Sequence, residues 1–149
     1  MKASHKPIHG PRRSSLPGAS LGLRARRTGD LIREIEHGLP FRALQSLSRA
    51  MDLPVARIAS LLELPERTLA RRRGAGRLAS TESERLLRLS RIFEKAVDLF
   101  EGNTSAAVSW LTAPRKALGE STPLAYSRTE PGAREVENLM GRLQHGVFS

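Results

Sequence analysis

The sequence predicts an all-α protein organised around a helix-turn-helix, and three observations carry that expectation. Every stretch with a hydrophobic period repeats at the helical spacing, and none alternates as a half-buried strand would. Val55, Ile58, Ala59 and Leu62 form one short apolar stripe, which Glu63, Leu64 and Pro65 interrupt. A second short helix, roughly Glu66 to Arg73, then carries Arg67, Thr68, Arg71, Arg72 and Arg73 with a single apolar anchor, Leu69. Two short helices joined by a tight turn, the second strongly cationic, are the arrangement that lays its second helix in a DNA groove.

At about 100° per residue, Arg67, Thr68, Arg71 and Arg72 share one arc of that helix, while Leu69 points away from it. An isolated arginine run is ordinarily a solvated face. In the two-helix setting these four residues, with Arg77 in the loop beyond, become the candidates for DNA contact. Arg73 flanks Leu69 and is expected to face the helix C-terminal carbonyls, where a cation suits the dipole. Glu63 occupies the turn position where many helix-turn-helix sequences carry Gly, so a positive φ there would strain it. Pro65 stands in place of a hydroxyl cap.

Taken in order, residues 1–27 hold seven Lys or Arg and no acid, among many Gly, Pro and Ser. Such a segment is expected to be a disordered basic tail, adding phosphate contacts at most. Residues 28–79 are expected to form the helix-turn-helix domain. Its first helix, Thr28 to Glu36, would turn Leu31, Ile32 and Ile35 inward and stop at Gly38 and Pro40. Phe41, Leu44, Leu47 and Met51 continue at helical spacing as a second helix, the wall against which the two-helix motif packs. Residues 80–102 read as a long connecting helix opened by a Thr81–Glu84 capping box, with Leu86, Leu89, Phe93, Ala96, Val97 and Phe100 on one face. Arg85, Arg88 and Arg91 share its second face and are expected to pair with Glu82, Glu84 or Glu94, with phosphate contact as the alternative. Residues 103–149 form a small C-terminal module. Asn103 or Thr104 caps a short helix with Val108, Trp110 and Leu111, Pro114 interrupts, and Pro123, Leu124 and Tyr126 make a brief turn. Thr129, Glu130 and Pro131 open the last helix, whose stripe is Val136, Leu139, Met140, Leu143 and Val147.

The chain of 149 residues carries a formal charge of +10, which points to a polyanionic partner, nucleic acid before membrane. It has no cysteine, hence no disulfide or thiolate site, consistent with a reducing cytoplasm. No apolar run approaches the roughly 20 residues of a membrane span. His5, His9, His37 and His145 are scattered, no pair stands at metal-ligand spacing, and no nucleophile elbow surrounds a serine. No catalytic residue, metal or cofactor is expected. Trp110, Leu111, Leu118, Leu124 and Tyr126 exceed what so small a core obviously needs, and exposed aromatic side chains anchor interfaces; for Trp110 the equal alternative is packing on the long helix.

The series Arg67-Thr68-Leu69-Ala70-Arg71-Arg72, then Gly76, Leu78 and Glu82 to Leu89, resembles the Xre antitoxins of RES–Xre toxin–antitoxin pairs. Ala107, Trp110-Leu111, Pro114, Ala117-Leu118-Gly119, Thr122-Pro123-Leu124, Val136, Leu139 and His145-Gly146 are similar to the C-terminal toxin-binding domain of the Xre/MbcA/ParS family. The resemblance covers about residues 28–149. It implies an Xre/Cro-like helix-turn-helix that binds the operon's own promoter as a homodimer. It also implies a C-terminal domain that occludes a RES-domain, NAD-degrading toxin encoded by the adjacent gene. The toxin contacts it implies are Trp110, Leu111, Pro114, Leu118, Pro123, Leu124, Leu139, Leu143 and His145. The residues by themselves leave two alternatives: a stand-alone transcriptional regulator with a C-terminal dimerisation domain, and a charge-driven nucleic-acid-compacting protein.

Overall fold

The computed structural model describes residues 16–146, and every regular element among them is helical. A 3-10 turn, Ala19–Leu21, precedes α1 (Thr28–His37), α2 (Phe41–Met51), α3 (Val55–Leu61) and α4 (Glu66–Ala75). Then come α5 (Ser80–Leu99), α6 (Thr104–Leu111), a second 3-10 turn (Lys116–Leu118), α7 (Pro123–Tyr126) and α8 (Glu130–Gln144). Strand-like pairing among the described residues is limited to two isolated bridges, Pro40 with Arg77 and Arg115 with Ser121. Val147 lies outside the described residues, as do His5 and His9.

The apolar stripes of the helices explain how they pack. Phe41, Leu44, Leu47 and Met51 all turn inward from α2, and Ile58, Ala59 and Leu62 meet them from α3. The long α5 is the spine: α1, α2, α6 and α8 all pack on it, and α2 also meets α6. Leu86 and Ile92 of α5 have no exposed surface, nor do Leu111 of α6 and Val136 of α8. Each buried side chain of this size contributes about 1.5–3 kcal/mol relative to exposure. The buried side chains form one continuous cluster from Leu21 to Met140, so the helix expected as a connector is shared core, and the C-terminal module is built onto it.

Several expectations are corrected. Residues 16–27 are not a loose arm. Leu21 is 3% exposed, and the Glu94 carboxylate accepts hydrogen bonds from the Ser20 N–H (2.9 Å), the Ser20 hydroxyl (2.5 Å) and the Gly18 N–H (3.3 Å). One leucine and one carboxylate therefore hold a segment whose composition suggested disorder. Ile32 is 48% exposed rather than inward, because α1 turns mainly Leu31 to the core. The spine helix starts at Ser80, so its capping acid is Glu82, which accepts the Ala79 N–H at 2.8 Å, and Glu84 is exposed. Arg88 and Arg91 do not pair along their own helix. They reach across to α8, Arg88 to Glu130 at 3.2 Å and Arg91 to Glu137 at 2.8 Å and Glu130 at 3.1 Å. Burial disfavours the charged form of Glu130, but the Arg88 and Arg91 guanidiniums hold its carboxyl below the ordinary range.

Candidate functional site

The two-helix motif is α3 and α4. Its turn is fixed by backbone geometry: Glu63 has φ +59°, the strained left-handed conformation the sequence raised for it, and the Leu64 N–H returns to the Ala59 carbonyl at 2.9 Å. From α5, the Arg85 guanidinium donates to the Leu62 carbonyl at 3.2 Å, and Arg128 lies 3.9 Å from the Glu63 carboxylate. Pro65 is the N-cap of α4, with no side-chain acceptor.

The far end of α4 is stitched to the α1–α2 loop. Gly76 caps the helix at φ +79°, the Phe41 N–H donates to the Gly76 carbonyl at 2.9 Å, and the Leu78 N–H donates to the Leu39 carbonyl at 2.8 Å. Arg73 lies over the Phe41 ring at 5.3 Å, not at the helix carbonyls where it was expected. Leu69 anchors the middle. The helix is held at both ends and on its inner face, which leaves its outer face for a partner.

Arg67 and Arg71 occupy that outer face, both exposed, one turn apart, and neither has a carboxylate partner among the described residues. Thr68 is half-buried beside them. Arg72 and Arg77 belong elsewhere. The Arg72 guanidinium grips Glu82 bidentately, Nε to Oε1 at 2.7 Å and NH2 to Oε2 at 2.9 Å, and so locks α4 to the first turn of α5. Arg77 donates to the Gly38 carbonyl at 2.5 Å, although the residue is exposed. Arg72 thus positions the helix, and sequence reasoning missed its partner because it placed the capping box of the spine helix two residues late, on Thr81 and Glu84.

The hydrogen bond from Arg72 holds the Glu82 carboxyl below the ordinary range against its burial, helped by the Ala79 N–H. Since the folded value is depressed, the stability it supplies is present above the unfolded glutamate value and is lost as the pH falls through the folded one. Glu82→Gln should therefore lower the melting temperature at pH 7 and shrink that deficit below about pH 4. A deficit that is constant with pH, measured by thermal melts from pH 3 to 7, would contradict this role.

In the C-terminal module, five of the nine expected partner contacts are core. Trp110 is 9% exposed, tilted against Phe100 at 6.5 Å and covered by the Arg115 guanidinium at 5.0 Å. Leu111, Leu118, Pro123 and Leu124 are buried as well. These side chains hold the module together, and a partner cannot reach them without unfolding it. Leu139 and Leu143 stand half-buried one turn apart on α8, His145 is exposed at that helix's C-cap, and Pro114 is exposed apart from them in the loop after α6. Tyr126, 37% exposed at the end of α7, is the large side chain the module presents to solvent. Among the described residues no helix is long and apolar enough to cross a membrane, and no three acidic or histidine side chains gather as a metal site would require.

The antitoxin Xre-like helix-turn-helix domain matches residues 30–91, and the antitoxin Xre/MbcA/ParS C-terminal toxin-binding domain matches residues 95–146. The chain is 41% identical over 130 residues to the antitoxin Xre of Yersinia enterocolitica serotype O:8, covering 87% of this chain and 88% of that one. It is 34% identical over 116 residues to the antitoxin Xre of Photorhabdus laumondii subsp. laumondii, covering 77% of this chain and 78% of that one.

Proposed function

The chain belongs to the Xre family of antitoxins, and on that premise we propose that it neutralises a RES-domain, NAD-degrading toxin encoded by the adjacent gene and represses its own operon through α4. The family is one of antitoxins, not of enzymes. The observation that carries the DNA half is a helix pinned at both ends with Arg67 and Arg71 free on its outer face, a rigid support for base-edge contacts. Thr68 lies in the same arc, and Arg77 supplies a backbone contact from the loop. The protein acts in the cytoplasm as a homodimer, each α4 meeting one half-site about one helical turn from the other. The C-terminal module meets the toxin through what it exposes: Pro114, Tyr126, the outer edges of Leu139 and Leu143, and His145.

The toxin half is tested by inducing the adjacent gene alone, with this chain, and with this chain bearing Tyr126→Ala, while following growth and cellular NAD. NAD depletion that the full chain reverses supports the reading. A harmless neighbour rejects it and leaves a stand-alone regulator. A truncation at residue 102 would not separate the two halves, because it removes α6 and α8, which pack on α5, and with them Leu111, Val136 and Met140 of the shared core. For the DNA half, Arg71→Ala should weaken operator binding by about tenfold or more, the loss of one good base contact, and random-DNA binding far less. Equal losses on both sequences would reject sequence-specific readout by α4.

A further inference from the structure

Beside the far end of α4 a groove of about 670 Å³ opens, and its walls are basic. Arg24, Arg33, Arg42 and Arg77 line it against one carboxylate, Glu34. The four arginines come from four separate segments: the stretch before α1, α1 itself, the first turn of α2, and the loop after α4. Arg33 pairs with Asp30, and Arg77 uses one N–H on Gly38. Arg24 and Arg42 are exposed and have no carboxylate partner among the described residues.

The wall that carries Arg24 is fixed. Glu94 holds the backbone at Gly18 and Ser20, the Ser46 hydroxyl donates to the Ser20 carbonyl at 2.8 Å, and Leu21 is buried. Arg24 thus projects three residues from an anchored turn. The groove also adjoins the candidate DNA helix, since Arg77 directly follows Gly76, the cap of α4. A helix of that length is about 15 Å long. A helix lying in a major groove about 12 Å wide has a phosphate strand on either side, so a basic wall at its end meets one of them.

We infer that this groove is a phosphate-binding cleft that grips the sugar–phosphate backbone of the DNA flanking the α4 contact. The inference rests on α4 entering the major groove. Guanidinium forks from several segments suit phosphate oxygens, and contacts of this kind set register and affinity without reading sequence. Continuity with α4 favours DNA over an acidic protein surface.

The test is the salt dependence of DNA binding by the full chain and by Arg24→Ala/Arg42→Ala, on operator and on random DNA. Losing two phosphate contacts should lower the slope of log affinity against log salt by about 2 on both DNAs. Over a rise from about 50 to 200 mM salt, the unmodified chain should then lose about tenfold more affinity than the variant. Arg24→Lys/Arg42→Lys should keep most of the slope, and thermal melts should show all chains equally folded, since both side chains are exposed. Binding with an unchanged slope overturns the cleft while leaving α4 as the DNA helix. An unchanged slope with lost toxin neutralisation overturns it in favour of an acidic protein partner. No DNA binding by the unmodified chain overturns both the α4 reading and the cleft.

Discussion

Gly132→Ala should lower the melting temperature by roughly 10 °C, whereas Gly141→Ala, nine residues further along the same helix, should raise it. In an ordinary helix interior alanine is better than glycine by about 1 kcal/mol. Gly141 has nothing within 4 Å of the position a Cβ would take, so the gain is realised there. At Gly132 the added Cβ would sit 1.8 Å from the Tyr126 carbonyl oxygen and 3.2 Å from the Thr129 hydroxyl. The first neighbour is backbone and cannot rotate aside. Relief requires prising α7 from α8, which also strains the Thr129 cap on the Gly132 N–H at 3.2 Å. Overpacking of this severity costs about 3 kcal/mol. Thermal melts of the two variants decide it, and a rise in both would mean that α7 and α8 do not approach as described. Because the backbone displaced is that of Tyr126, which carries the exposed ring, toxin neutralisation should fail in Gly132→Ala and survive in Gly141→Ala.

Gly38→Ala should be comparably damaging, but at the DNA end. Gly38 has φ +97°, which an L side chain rarely adopts, and its Cβ would lie 2.2 Å from the Leu78 carbonyl oxygen. Here too the obstacle is backbone. Moving it breaks the Leu78–Leu39 hydrogen bond and the Phe41–Gly76 bond that pin the end of α4. It also disturbs the buried Leu39 N–H, which donates to the Ser83 hydroxyl at 2.8 Å. Backbone strain and clash together cost about 3 kcal/mol or more. Melting temperature and operator affinity should fall together, and an unchanged value of either would reject the stitch as the support of α4.

The helices were legible because the chain obeys its periods. Phe41, Leu44, Leu47 and Met51 mark the buried face of α2, Thr129 caps α8, and Glu63 adopts the positive φ its turn position implied. What escaped the sequence lies between elements. A helical wheel places Arg71 and Arg72 on one arc but cannot say that the edge of that arc faces α5, where Glu82 waits ten residues on. Surplus apolar residues looked like an interface until Trp110 was found between Phe100 and Arg115. Residues 16–27 looked disordered because the donors that hold them are two backbone N–H groups and one serine hydroxyl, which composition does not distinguish, and their acceptor, Glu94, is 74 residues from Ser20.

The unbroken cluster from Leu21 to Met140 should give the helices built on it a single lifetime. With one core the helices from α1 to α8 are expected to open together, so a protease that needs them open should find all of them or none. A partner held at 100 times its dissociation constant stabilises the folded form by about 2.7 kcal/mol, and open chains become about 100-fold rarer. That protection should extend to α4 even when the partner touches only α7 and α8. Occupancy at one end of the molecule thus governs how long the other end survives.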